Sequence, residues 1–212
     1  RQQIFDSLKK QSPSRIIALG FSAVILVGAV LLMMPFSLKK GVHLSFLNAL
    51  FTSTSAVCVT GLVVVDTADS FTAIGQAIVA ALIQIGGLGI ASVGVGFIIA
   101  AGKRVSIKSR LMVKEALNVD TYHGMVRLVR IVLAITLGFE VAGAIISFFV
   151  FRKDYSPLHA VGISIFHSIA AFNNAGFDNL GGMHNLIPYK DNILLNITTV
   201  SYTHLRAHET DQ

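Results

Sequence analysis

Charge is scarce in this chain. Asp, Glu, Lys and Arg make up 13% of its 212 residues, whereas soluble domains run nearer a quarter. A soluble enzyme of ordinary type is therefore a poor fit. Cysteine is scarcer still: Cys58 stands alone, which excludes an intrachain disulfide and any CxxC metal or redox site. The glycines at 86–96 do not form GxGxxG after a strand, so no dinucleotide site is implied. The HETD near the end lacks the second histidine of HExxH, so no zinc protease is implied either. No cleavable signal peptide is legible. The first apolar run is too long for a signal core and ends in Met33-Met34-Pro35, without small residues.

What fills the space is apolar. Hydrophobic residues reach 53% and mean hydropathy is +0.70, with the apolar content gathered in uncharged runs. That clustering is the signature of membrane spans. At roughly 20 residues per crossing the length allows about five or six spans at most. The net charge of +6 and pI of about 9.7 fit basic cytoplasmic loops better than nucleic-acid binding.

Residues 16–34 form the first run, long enough to cross the hydrocarbon core. Residues 44–57 (LSFLNALFTSTSAV) are too short to cross and read as a re-entrant or partly buried helix. Residues 71–101 are again uncharged and too long for an untilted span. A bend near Gly86-Gly87-Leu88-Gly89 and close helix contacts at these glycines are both expected. Residues 102–130 are basic. Residues 131–151 form the third full span and hold one charge, Glu140. Residues 159–171 (HAVGISIFHSIAA) are a second short apolar stretch, and a further run begins at 192–200. Eleven Lys and Arg lie in 1–15 and 102–130 against five on the opposite side, which places the N-terminus in the cytoplasm.

An offset of 115 residues superimposes the two halves without gaps. Arg15 falls on Arg130, Gly28 on Gly143, Phe51 on Phe166, Ser53 on Ser168, Ala56 on Ala171, Gly61 on Gly176 and Leu62 on Phe177. The expected fold is all-α and integral to the membrane. Its repeating unit is span, re-entrant pore helix, glycine-bearing filter loop, span, with both units in the same orientation. Non-helical backbone at membrane depth is tolerated where it is buried in protein or lines a water-filled cavity. There its carbonyls can replace a cation's hydration shell, and a helix C-terminus adds partial negative charge. Glycine at 61 and 176 keeps side chains out of a narrow pore and permits backbone angles that a Cβ resists.

The stretch NALFTSTSAVCVTGLVVVDTADSFTAIGQAIVAALIQIGGLGI resembles the first pore loop and following helix of the Trk/Ktr/HKT potassium-transporter superfamily. SIFHSIAAFNNAGFDNLGG resembles that family's second pore loop. The likeness covers about residues 1–200 and is nearest to the membrane subunit of bacterial Ktr uptake systems. It implies four units around one pore, a homodimer of such subunits in the bacterial cell membrane, and a cytosolic nucleotide-binding ring as partner. Potassium would be the transported ion, with sodium as a candidate coupling ion, and no enzyme chemistry or cofactor in this chain. Glycine at 61 looks like the potassium-selective form. By position, the first filter strand is Cys58, Val59, Thr60, Gly61 and Leu62. The second is Asn173, Asn174, Ala175, Gly176 and Phe177.

Several residues have two readings. Cys58 has no local base and reads as a small buried residue whose carbonyl matters. Glu140 is a candidate functional acid within a span, balanced against a structural acid bonded to a neighbouring helix. Gln76 and Gln84, eight apart on one helix, are expected to make interhelical hydrogen bonds rather than touch ions. His167 reads as a packing histidine rather than a pH sensor. Asn173 and Asn174 are expected to hold their loop by local hydrogen bonds. The basic stretch 103–114 reads as a topological anchor, with docking of a soluble regulator as the alternative.

The implied division is 1–15 cytoplasmic segment, 16–101 first pore repeat, 102–130 cytoplasmic basic loop, 131–200 truncated second repeat. Residues 201–212 (SYTHLRAHETDQ) carry three charges and two histidines where the 115-residue register demands an apolar helix centre, so they are expected to be foreign. Two units cannot surround an ion unaided. A non-conducting scaffold or accessory subunit, or a fragment without activity of its own, is therefore the competing reading. A secondary transporter for an organic solute fits the parallel units less well.

Overall fold

The computed structural model of the chain describes residues 12–102, 104–116 and 124–210. Most of the expected N-terminal segment 1–15, Lys103, residues 117–123 of the basic stretch and residues 211–212 lie outside these. Among the described residues nine α-helices form and no strand does. Their one β feature is an isolated antiparallel bridge between Leu38 and Phe71.

Helix α1 spans Pro13–Met33. Pro13 sits at its first position, where a missing N–H costs nothing, and Met34 turns extended ahead of Pro35. Helix α2, Phe46–Cys58, starts at Ser45, whose side chain accepts from the Asn48 N–H at 3.2 Å. Its thirteen residues reach about 20 Å, short of the ~30 Å hydrocarbon core, as expected for the 44–57 stretch. The single turn α3, Thr67–Ser70, is capped by Asp66.

The run at 71–101 departs from a single full span. It divides into α4, Ala73–Leu88, and α5, Ile90–Ala100, which meet at 105°. Gly89 stands at the break with φ of 78°, an angle that an L side chain resists. Both sequence expectations for this glycine cluster are met. The bend is at Gly89, and Gly86 and Gly87 make close contacts: a Cβ on Gly86 would overlap the Val57 carbonyl, and one on Gly87 would overlap the Asn173 carboxamide. The three full spans read from the sequence thus become two long apolar helices plus one bent pair.

Part of the basic stretch is helical: α6 spans Ile107–Ala116. Helix α7, Met125–Phe151, is 27 residues, or about 40 Å, long. Helix α8, Pro157–Phe172, is the second short apolar helix, and α9 spans Ile193–Thr210. The last helix runs through position 201 unbroken, and Tyr202 is buried with its hydroxyl donating to the Phe139 carbonyl at 2.5 Å.

The main core joins the two halves. Leu32 of α1, Ala56 of α2, Val79 and Ile83 of α4, and Phe166 of α8 share one buried cluster with Ala175 and Phe177. A second cluster ties α5 and α6 to the start of α7. A third packs the end of α7 on the start of α8 and Leu195 of α9. Outside these clusters, α1 and α7 turn large apolar residues outward, among them Leu26, Val30, Ile135, Val141 and Phe149. In water such a surface would drive association; an all-helical fold with these faces suits a membrane protein.

Candidate ion-selectivity site

Each short helix delivers its C-terminus into a non-helical loop, and the two loops are built alike. At the end of α2, Val59 adopts a left-handed conformation, φ 56°, and Gly61 follows at 72°. At the end of α8, Asn174 stands at 52° and Gly176 at 67°. These positions are 115 residues apart. The hydrogen bonds match too. Val59 N–H reaches the Ala56 carbonyl and Asn174 N–H the Ala171 carbonyl; Thr60 N–H reaches Ser55 and Ala175 N–H reaches Ala170. Such bonds use up carbonyls that a helix end would otherwise leave free.

The two loops meet at their glycines. A Cβ on Gly61 would stand 2.9 Å from the Ala175 carbonyl oxygen and 3.1 Å from Gly176 Cα. One on Gly176 would stand 3.0 Å from Gly61 Cα. The backbones therefore approach as only glycine allows. Behind the second loop lies a cavity of about 330 Å³ lined by His167, Asn174, Gly176, Phe177, Asp178 and Thr199 among others.

The candidate residues differ in exposure. Asn173, Ala175 and Phe177 are buried, while Asn174 and Gly176 between them are exposed. The left-handed residues at 174 and 176 are the two that face outward. In the first loop Thr60 and Leu62 are exposed and Val59 and Gly61 half-buried. Cys58 is exposed, which corrects the expectation of a buried thiol. It is the last residue of α2, on a side of the final turn that no described residue covers.

Each short helix is also fastened to the long helix before it. Ser53 Oγ donates to the Ile25 carbonyl at 2.8 Å, and Ser168 Oγ donates to the Glu140 carbonyl at 2.7 Å. Gly28 and Gly143 make room for these hydroxyls: a Cβ on either would overlap the serine that faces it. The sequence match of Gly28 with Gly143 and Ser53 with Ser168 marked these positions, but not that each glycine and serine are in contact.

Buried polar groups gather behind the second loop. Asn173, 1% exposed, donates through Nδ2 to Gln84 Oε1 and to the Ile169 carbonyl, both at 2.9 Å. The local bond expected of Asn173 is the one to Ile169. The Glu140 carboxyl reaches the Gln84 and Asn173 side chains, while its Oε1 has no hydrogen-bond partner. Gln76 Oε1 accepts from Asn179 Nδ2 at 3.0 Å. Both glutamines thus bond protein, as expected, although their partners are the two ends of a loop rather than another span. His167 is buried, packs edge-on against Phe151 with ring centroids 5.6 Å apart, and sets Nε2 3.5 Å from Thr199 Oγ1. It is a packing histidine.

The far end of the second loop is held by carboxylates that sequence reading passed over. Asp66 Oδ2 accepts from the Met183 N–H at 2.7 Å, and Asp69 Oδ2 from the Gly182 N–H at 3.0 Å. Asp178 accepts from the Leu180 N–H at 3.0 Å. Burial holds the Asp178 carboxyl above its ordinary pKa; the Leu180 N–H opposes this and the nearby Asp66 charge adds to it.

Comparison with known proteins gives the family. The chain is 43% identical over 173 residues to "Ktr system potassium uptake protein B" of Bacillus subtilis, a match covering 80% of this chain and 38% of that protein. It is 40% identical over 173 residues to "Potassium/sodium uptake protein NtpJ" of Enterococcus hirae, covering 82% and 38%. It is 36% identical over 192 residues to "Ktr system potassium uptake protein D" of Bacillus subtilis, covering 89% and 42%. The chain therefore spans about two fifths of the length of these relatives, whose names are those of uptake proteins and not of enzymes. The profile of the TrkH family, described as cation transport protein, matches residues 7–204, and with nearly the whole chain inside that match this protein belongs to the TrkH cation transport family.

Proposed function

We propose that this chain supplies two of four filter strands of a potassium uptake protein of the Ktr/Trk type. The carrying observation is the pairing of Gly61 with Gly176, each in a left-handed conformation at the end of a short apolar helix and each against the other's backbone. Carbonyls of residues 58–62 and 173–177 would coordinate a dehydrated potassium ion. The C-terminal ends of α2 and α8 would add partial negative charge at the same place. The 115-residue correspondence of dihedral angles and hydrogen bonds supports a repeated unit of span, re-entrant helix, filter loop and span. On this reading residues 16–101 form the first repeat, 131–200 belong to the second, and 102–130 face the cytoplasm together with the N-terminus.

The whole protein would be a multi-pass protein of the cell membrane. Two further units would close the pore around the ion, a second copy would complete a homodimer, and a cytosolic nucleotide-binding ring would regulate it. Glu140, beside the second strand, is the acid assigned to the transport path. The test is potassium and rubidium uptake by a bacterium deficient in potassium transport and expressing a full-length protein that carries this segment. Saturable potassium uptake, competed only weakly by sodium, is expected. Membrane insertion without uptake would favour the scaffold reading instead. That reading rests on the fact that two strands cannot by themselves surround an ion.

A further inference from the structure

Helix α4 carries two glutamines eight residues apart, and each bonds one end of the second filter loop. Gln84 Oε1 accepts from Asn173, the residue that caps the C-terminus of α8, and Gln76 Oε1 accepts from Asn179, two residues beyond the filter strand. Eight helical residues correspond to about 12 Å along the axis. The six intervals from Asn173 to Asn179 could stretch to about 20 Å. The left-handed residues Asn174 and Gly176 take up part of the difference by turning the backbone. The helix belongs to the first half of the chain and the loop to the second, so the contact crosses between halves.

Three further features show that the contact is built for close fit. Gly87, less than one turn beyond Gln84, has no side chain where the Asn173 carboxamide lies. Gln76 is itself fixed, its Nε2 donating to the Phe71 carbonyl at 3.2 Å. Asn173 and Asn179 are 1% and 3% exposed, and Asn179 Oδ1 has no partner already. Loss of Gln76 would leave the whole Asn179 carboxamide unpaired. An unpaired buried amide costs more than the pair contributes, so the loop would move to satisfy it, and the carbonyls of the strand would move with it.

We infer that Gln76 and Gln84 are positioning residues that set the height and path of the second filter strand and so take part in choosing the transported ion. The inference rests on the filter reading of residues 173–177. Neither glutamine touches the ion; each acts through an asparagine at one end of the strand.

The test uses the full-length protein in membranes, with potassium uptake measured alone and against sodium. Gln76→Met and Gln84→Met keep side-chain length and remove the acceptor. Each is expected to raise the KM for potassium and lower the preference for potassium over sodium by about tenfold, with the maximal rate per inserted protein changed much less. Should a methionine variant fail to accumulate, Gln76→Asn or Gln84→Asn is read in the same way. The chemistry is retained, but one methylene is lost and the contact is out of reach. Unchanged KM and ion preference in inserted variants would overturn the inference, as would a fall in maximal rate alone. Absence of potassium transport by the parent protein would overturn the filter reading, and this inference with it. Normal parent transport with insensitive variants would remove only the positioning role.

Discussion

Replacing Gly61 by serine tests the geometry of the filter directly. The residue sits at φ 72°, where an L side chain costs about 1–2 kcal/mol. Its new Cβ would stand 2.9 Å from the Ala175 carbonyl oxygen and 3.1 Å from Gly176 Cα. Both contacts are with backbone, so neither can yield by a change of rotamer. Crowding of this kind costs about 1–3 kcal/mol where the surroundings are packed, and Ala175 is fully buried. Relief must come from displacement of one strand by several tenths of an ångström, which moves the carbonyls that would replace the ion's water. With about 1.4 kcal/mol for each factor of ten, Gly61→Ser should lower the preference for potassium over sodium by at least about tenfold. The assay is rubidium uptake by a full-length protein carrying this segment, competed by potassium and by sodium. Gly94→Ala is the control, since that helical glycine has open space where a Cβ would go. It should leave transport unchanged. Gly176→Ser should resemble Gly61→Ser, and the double variant should be less than additive, because one displacement of the strands relieves both clashes. Wild-type selectivity in Gly61→Ser, with normal amounts of protein in the membrane, would refute the argument.

Three other outcomes follow from the same geometry. Glu140→Gln preserves shape and should lower the uptake rate at constant protein amount; transport that survives it unchanged removes Glu140 from the mechanism. Gly28→Val would drive side-chain atoms into Ser53 and Leu82 and should cost about 1–3 kcal/mol, read as a lower melting temperature of the purified protein; an unchanged value would contradict the close fit of α1 on α2. Asp178 has a raised pKa, so on acidification it takes up its proton at higher pH than an exposed aspartate. Its contribution to stability is complete below the ordinary aspartate value and is lost as pH rises through the raised one. Uptake at low potassium should fall as external pH drops through that raised value. Asp178→Asn should abolish this step, and an identical pH profile in the variant would exclude the group.

The shortage of charge and the apolar runs determined by themselves that this is a helical chain suited to a membrane. They did so because a span must be long and uncharged whatever surrounds it. The lengths of α2 and α8 were equally legible, since a stretch of some fourteen residues cannot cross. The register of 115 residues picked out Gly61 and Gly176 from the order of residues alone. The course of the chain at Gly89 was only half legible. A run of small residues permits a bend and permits close packing, and both occur within four positions of each other, at Gly86, Gly87 and Gly89.

Tertiary structure decided the rest. Gln76 and Gln84 read as polar residues needing partners. That those partners are Asn179 and Asn173, about a hundred and about ninety positions away, depends on how α4 lies against the second loop. No local pattern encodes that. The exposure of Cys58 and the bonds from Asp66 and Asp69 to the 182–183 backbone have the same origin. Periodicity and length are properties of a segment and survive in the sequence. A hydrogen bond between distant segments is a property of their packing, and appears only when the chain has closed on itself.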